Sequence, residues 1–346
     1  MARSLYRASL ALTPIVLVAR YGLHAGGTLL FLLSCAALAP LSFLIGEATE
    51  NVAEHTGPGI GGFLNASFGN APEVIIALFA IGDGLPNVVR GSIAGSVVST
   101  SLLVLGGAIA VGAHGKEIDR RSIRLQVSIV FVALLLFLIP AIGGWHGDPD
   151  RHNLYLATLP VAAVLLVLYL TVTVKNLRTH SAAKRAKASV EAWSLRSALL
   201  ALAGATVGTA LVSEVLVGSL NAFGHALGLS QFFVAVVIVA LVGNAAEQGG
   251  AVVIARRGNT RLGAEIAVSS ATQVAVFVAP VVALVSGLVG RGLPLSFRPV
   301  EIAAMTGAAL AVAFVSLDAR VRRWEGLLLI AGYAIAVTAF GLSGDR

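Results

Sequence analysis

Gly69-Asn70-Ala71-Pro72-Glu73-Val74-Ile75-Ile76-Ala77 returns 174 residues later as Gly243-Asn244-Ala245-Ala246-Glu247-Gln248-Gly249-Gly250-Ala251. In each copy an asparagine and a glutamate stand three apart, a spacing that puts both on one face of a helix. Each pair lies inside an apolar run long enough to cross a bilayer. An ionised glutamate near the centre of a membrane costs roughly 2.5–3.5 kcal/mol on insertion scales, which makes each one a functional candidate. Two in matched settings strengthen that reading.

The surrounding composition fits. Of 346 residues, 57% are hydrophobic and 12% charged, and the mean hydropathy is +0.89. These values place the chain among all-α polytopic membrane proteins and exclude a soluble one. The 38 glycines have no Gly-X-Y period and suit close helix packing in lipid. Cys35 is the single cysteine, so no internal disulfide forms. The formal charge of +7 lies in short loops between spans, a pattern that orients a membrane protein rather than one that binds nucleic acid.

Hydropathy and turn signals predict eleven helices: Ala8–Ala19, Gly27–Asn51, Gly59–Ile81, Pro86–Ala113, Ser122–Ile142, Asn153–Val174, Leu195–Phe223, Gln231–Ala255, Leu262–Val289, Pro299–Leu317 and Trp324–Leu342. Arg3 and Arg7 before the first run also resemble the start of a cleaved signal, and both readings stay open. Turns are expected at Gly57-Pro58-Gly59, Gly82 to Pro86, Gly147 to Asp150 and Gly290 to Pro294. Alternating the loops between two sides puts 18 of the 24 basic residues with the N-terminus and 6 opposite. That asymmetry predicts a cytoplasmic N-terminus and an external C-terminus, in what reads as a prokaryotic cell membrane.

The 174-residue offset that relates Asn70 to Asn244 and Glu73 to Glu247 also carries Ser96 to Ser270. Because it spans five helices, an odd number, the second copy is expected upside down, as an inverted repeat. The predicted organisation is a segment 1–26 with an extra first helix, a five-helix half 27–174, a basic cytoplasmic linker 175–194 near anionic lipid, and a second five-helix half 195–346.

In each half the next helix adds polar residues three apart, Ser96 and Ser99 in one and Ser270 and Gln273 in the other. With Asn70, Glu73, Asn244 and Glu247 they form the candidate ion site. Pro72 frees the Phe68 carbonyl, while Gly69 and Gly243 weaken their helices one turn before the glutamate, so all three backbone carbonyls are candidate ligands. Glu50 and Glu214, nearer span ends, are candidates for gating or proton relay. Hard oxygens with two negative charges suit Ca²⁺, whose six to eight ligands are flexible, better than Mg²⁺. Two carboxylates can hold Ca²⁺ or protons, which is the physical basis of antiport. The plainer alternatives are that Asn70 and Asn244 cap or tie helices, that the serines bond back to their own helices, and that Glu50 and Glu214 snorkel. No enzyme signature occurs.

These motifs resemble the calcium/proton exchanger family of the cation/calcium exchanger superfamily. The likeness runs from about Gly46 to Leu342 and includes Ala48-Thr49-Glu50, Gly61-Gly62-Phe63-Leu64-Asn65-Ala66, Leu102-Leu103-Val104-Leu105-Gly106, Ser213-Glu214-Val215-Leu216-Val217, Phe277-Val278-Ala279-Pro280 and Trp324-Glu325-Gly326. It implies an inverted-repeat antiporter with Glu73 and Glu247 as alternating Ca²⁺ and H⁺ carriers, Ca²⁺ as transported substrate and no cofactor. Pro72, Thr100, Asn221, Gln248 and Ser269 depart from the residues usual there. An exchanger of Na⁺ or another divalent cation, a passive channel and an intramembrane enzyme are the competing readings. Ca²⁺, H⁺ and lipid are the expected partners, and a homo-oligomer is left open.

Overall fold

The computed structural model describes residues 10–112, 118–180, 193–290, 292–318 and 320–344, with the side chains of 57–63, 65–66 and 176–180 left out. Every regular element among them is a helix. We label these α1 (Leu12–Gly22), α2 (Gly27–Phe68), α3 (Ala71–Gly82), α4 (Pro86–Gly112), α5 (Arg120–Trp145), α6 (His152–His180), α7 (Leu195–Leu227), α8 (Gln231–Gly243), α9 (Ala245–Arg256), α10 (Thr260–Val289), α11 (Pro299–Val315) and α12 (Arg323–Ser343). Seven are long and apolar enough to cross a membrane, or eight when α8 and α9 count as one span bent by 61°.

Three boundaries differ from the sequence reading. The turn expected at Gly57-Pro58-Gly59 lies inside α2, which runs on to Phe68, so the break falls at Gly69-Asn70 instead. A proline inside a helix forfeits one hydrogen bond, whereas an open loop at membrane depth would strand several backbone groups. The span expected from Gln231 to Ala255 is instead two helices broken at Asn244. The basic linker begins later than 175, because α6 stays helical to His180; residues 181–192 of it lie outside the described set.

The backbone of the two motifs repeats closely. Asn70 (φ −98°, ψ 12°) precedes the 12-residue helix α3, and Asn244 (φ −93°, ψ 10°) precedes the 12-residue helix α9. Both ends of α9 are displaced from those of α3 by 174 residues. Farther on, α4 widens into a π-helical stretch at Ser99–Val104 and α10 does so at Val274–Val278, their last residues again 174 apart. Such wide turns are often found at functional sites.

Helices α2 and α7 pack side by side and antiparallel, for Gly27 meets Ala222 while Gly208 meets Leu41. Across the middle runs α4, the most enclosed span, with 83% of its apolar stretch buried against 22% for α12. Its glycine-rich face lies directly on α8: a Cβ at Gly95 would overlap the Val236 carbonyl oxygen. That close approach holds α4 against α8 next to the motif at Gly243-Asn244. On the outer surface, large apolar side chains such as Leu135, Val167, Leu200 and Ile335 are exposed, as lipid-facing residues should be.

Candidate functional site

The helix breaks bring the two motifs together. Asn70 and Asn244 occupy the N-cap positions of α3 and α9, yet neither side chain caps its helix. Each reaches to the helix that follows the other motif instead. Asn70 Nδ2 donates to Gln273 Oε1 on α10 at 2.7 Å, and Asn244 Nδ2 donates to Ser96 Oγ on α4 at 2.8 Å. Both asparagines are buried, at 0% and 1% exposure. Of the plainer readings, capping is therefore ruled out by this geometry, and inter-helix bonding holds.

The glutamates follow three residues later, in the first turns of α3 and α9. They lie within electrostatic reach of each other. Glu73 packs on Gly243 of the opposite motif: a Cβ there would stand 3.3 Å from Glu73 Cγ and 3.7 Å from Oε1. The absence of a side chain at Gly243 is what makes room for the carboxylate. Ser270 lies beside Glu247.

Two oxygens in this cluster are buried without a hydrogen-bond partner, Glu73 Oε2 and Asn244 Oδ1, and the buried Ser270 Oγ beside Glu247 completes no bond of ordinary geometry. Burying such groups unpaired costs about 1–3 kcal/mol each, more for a charge, so a cluster of them marks a place for a ligand with the opposite preference. Amide donors are spent on inter-helix bonds, and what remains is oxygen. A hard cation suits that set, whereas an anion would meet two carboxylates. Beside Glu73 runs a narrow cavity of about 10 Å³, lined among others by Ile76, Ser92, Ser96 and Gly243.

Ser99 bonds back to the Ser96 carbonyl at 3.3 Å and accepts from Gln248 Nε2 at 3.3 Å. Thr100 also bonds back to Ser96. Gln273 Nε2 is held by Ser269 at 3.1 Å, so Ser269 supports the site indirectly. Phe68 ends α2, Gly69 sits in the break and Gly243 ends α8, placing all three carbonyl candidates at the interruptions. Glu50 and Glu214 are not drawn in; both are exposed on α2 and α7 and make no hydrogen bond to the cluster. Sequence reasoning passed over Gln248 as a site residue, although an amide in an apolar run is itself a costly feature.

Broken helices meeting at a buried, oxygen-rich cluster define a discontinuous-helix membrane protein, in which irregular backbone survives because it lines a cavity. A model of the sodium/calcium exchanger protein family matches residues 26–177 and 197–342, and the chain belongs to that family. It is 34% identical to the Ca²⁺/H⁺ antiporter ChaA of Bacillus subtilis, over 92% of this chain and 94% of that one. The Ca²⁺/H⁺ antiporter of Aphanothece halophytica is 32% identical over 94% of this chain and 93% of its own length. Among solved structures, native YfkE superposes with a TM-score of 0.82 at 31% identity, covering 97% of this chain and 99% of that one.

Proposed function

We propose that this protein is a secondary active antiporter exchanging Ca²⁺ for protons at one central site. The observation that carries the proposal is the approach of Glu73 and Glu247 in a buried cluster whose oxygens lack partners. The relatives named Ca²⁺/H⁺ antiporters support the choice of ions. Two facing carboxylates bind one divalent cation by shedding their protons; with the cation gone, repulsion in a poorly hydrated site favours protonation. Either occupant neutralises the pair, and the neutral site is the one that can cross between the two faces. Asn244, Ser270 and the carbonyls at the breaks would complete the coordination shell, with Asn70 and Gln273 fixing its geometry.

Eleven spans in an extra first helix plus two inverted halves remain the architecture we infer. Three features support it. The motif helices share length and dihedral angles at a common offset. Each asparagine crosses to the opposite half. The contact of Gly27 with Ala222, shifted by 174 in both partners, becomes residues 201 and 48, and Ala48 and Ala201 indeed share a second small cluster. A two-fold axis in the membrane plane generates that exchange. The charge asymmetry supports a cytoplasmic N-terminus.

The test is proton-gradient-driven Ca²⁺ uptake in proteoliposomes. Glu73→Gln and Glu247→Gln should each abolish it while the purified protein elutes unchanged on size exclusion; retained flux in either refutes the proposal. Competition by Na⁺, Mg²⁺ and Sr²⁺ in the same vesicles identifies the cation, and current without proton counterflow would mark a channel.

A further inference from the structure

The cavity beside Glu73 lies on one side of the cluster. Beyond Glu73, Ser96 and Gly243, its walls include Ile76 on α3, Ser92 on α4, Val239 on α8 and Val278 on α10. All four point to the same end of the bundle. Ile76 is on the Gly82 side of Glu73 and Ser92 on the Pro86 side of Ser96, and a short turn joins Gly82 to Pro86. Val239 is on the Phe232 side of Asn244, and a Cβ at Gly91 would lie 3.1 Å from the Phe232 ring. Val278 is on the Pro294 side of Gln273, and the Pro294 carbonyl accepts from Arg90 at 3.3 Å. On the opposite side the helices close up. A Cβ at Gly112 would stand 2.9 Å from the Ala255 carbonyl oxygen, and one at Gly263 would stand 2.6 Å from that of Ala251. The site in this state faces the Arg90 end.

Among the described residues lining the cavity, Ser92 is the one polar side chain outside the cluster. It stands four residues before Ser96, so the two hydroxyls share a face of α4. Ser92 Oγ donates to the Val89 carbonyl at 3.0 Å, which spends its proton and leaves its lone pairs for the cavity. A space of about 10 Å³ admits about one water. The offset of 174 carries Ser92 to Ile266, so the opposite approach has no matching hydroxyl.

We infer that Ser92 is a further ion-site residue, holding the transported divalent cation through its last water only in the state that faces the Arg90 end. The inference rests on the antiport reading above. A hydrated ion does not fit the cavity, so a cation at Glu73 sheds its other waters and keeps one between itself and the Ser92 oxygen. Mg²⁺ gives up its waters reluctantly, and the same narrowness disfavours it. When the site turns to the opposite face the cavity closes and Ser92 loses the ion. A ligand present in one state alone changes affinity at one face alone.

The test is the half-saturation of transport by Ca²⁺ at each face, in right-side-out and everted membrane vesicles. Asp148, exposed in the turn before α6, marks the Arg90 end, so labelling Asp148→Cys with an impermeant maleimide, with the wild type as blank, tells which face is which. Ser92→Ala should raise half-saturation about fivefold to tenfold at the labelled face and leave the other within twofold. Ser92→Thr keeps the hydroxyl and should restore the wild-type value. Equal shifts at both faces would make Ser92 a structural prop, and no shift, a shift at the unlabelled face alone, or a threonine no better than alanine would each overturn the inference. The antiport reading fails separately, if wild-type Ca²⁺ uptake moves no protons.

Discussion

Replacing Gly95 by alanine should separate the site from the fold. A Cβ at that position meets α8 backbone, overlapping the Val236 carbonyl oxygen and standing 2.6 Å from its carbon and 2.9 Å from Ala240 Cβ. Carbon atoms pack at about 3.5 Å or more, so α4 and α8 must part by roughly 1 Å. No rotamer relieves this, because the obstacle is main chain. The next residue, Ser96, holds Asn244 at 2.8 Å, and a parting of that size breaks the bond. Overpacking of this kind costs about 1–3 kcal/mol of stability, and a 1 Å displacement at a reacting centre costs up to about 100-fold in rate. Gradient-driven Ca²⁺ uptake should therefore fall at least tenfold while the protein still folds. The control is Gly107→Ala on the same helix, whose nearest neighbour, Val252 Cγ2, stands at an ordinary 3.5 Å. Uptake in Gly95→Ala equal to that in Gly107→Ala would refute the claim that backbone contact between α4 and α8 sets the site.

Two further outcomes are expected. Arg90, 1% exposed, donates to Asp150 and Asn87 at 2.7 Å and to the Pro294 carbonyl at 3.3 Å. Arg90→Ala should cost about 3 kcal/mol, the low end for a broken buried pair because Asp150 is 37% exposed, and thermal scanning in detergent reads the loss; an unchanged midpoint would show that Arg90 does not tie α4 to the loops at Asp150 and Pro294. The Ser122 amide, and after it the Arg261 guanidinium at 2.5 Å, keeps the Asp119 carboxyl below its usual range at the start of α5. A depressed carboxylate stabilises the fold above its unfolded pKa, about 3.9, and loses that contribution as pH falls through the lowered value. The wild-type margin over Asp119→Asn, under about 1 kcal/mol for so exposed a pair, should be present at pH 6 and gone in strong acid; a margin independent of pH would contradict it.

The motif spacing was legible because a carboxylate in an apolar run is expensive and has few explanations. Three apart suits one helix face, but Asn70 and Asn244 stand in the breaks ahead of α3 and α9 and reach across to Gln273 and Ser96. Helix boundaries were less legible. Gly57-Pro58-Gly59 reads as a turn by local propensity, yet α2 runs through it, while the true interruption at Gly69-Asn70 carries a weaker signal. Propensity scales reflect chains that can solvate an open backbone, and a membrane-depth segment cannot. The pairings that individual side chains make across helices were hidden. Tyr169 sits in Leu168-Tyr169-Leu170, a context typical of any lipid-facing or packed helix, and only tertiary packing turns its ring onto Phe277. Gln248 stood next to a recognised residue, but its bond to Ser99 depends on how α9 crosses α4.

The two motifs do not furnish their shared centre equally. One asparagine is held by the long amide of Gln273, the other by the short hydroxyl of Ser96, with Gln248 filling the gap that Ser99 leaves. Two motifs that repeat in helix length and backbone angle thus enclose a lopsided interior. Cargo approaching from opposite sides of the bilayer meets different walls, so forward and reverse exchange are free to have unlike half-saturation concentrations even though the gradients alone decide the net direction. Unequal furnishing of the two motifs lets the response to each side be tuned separately.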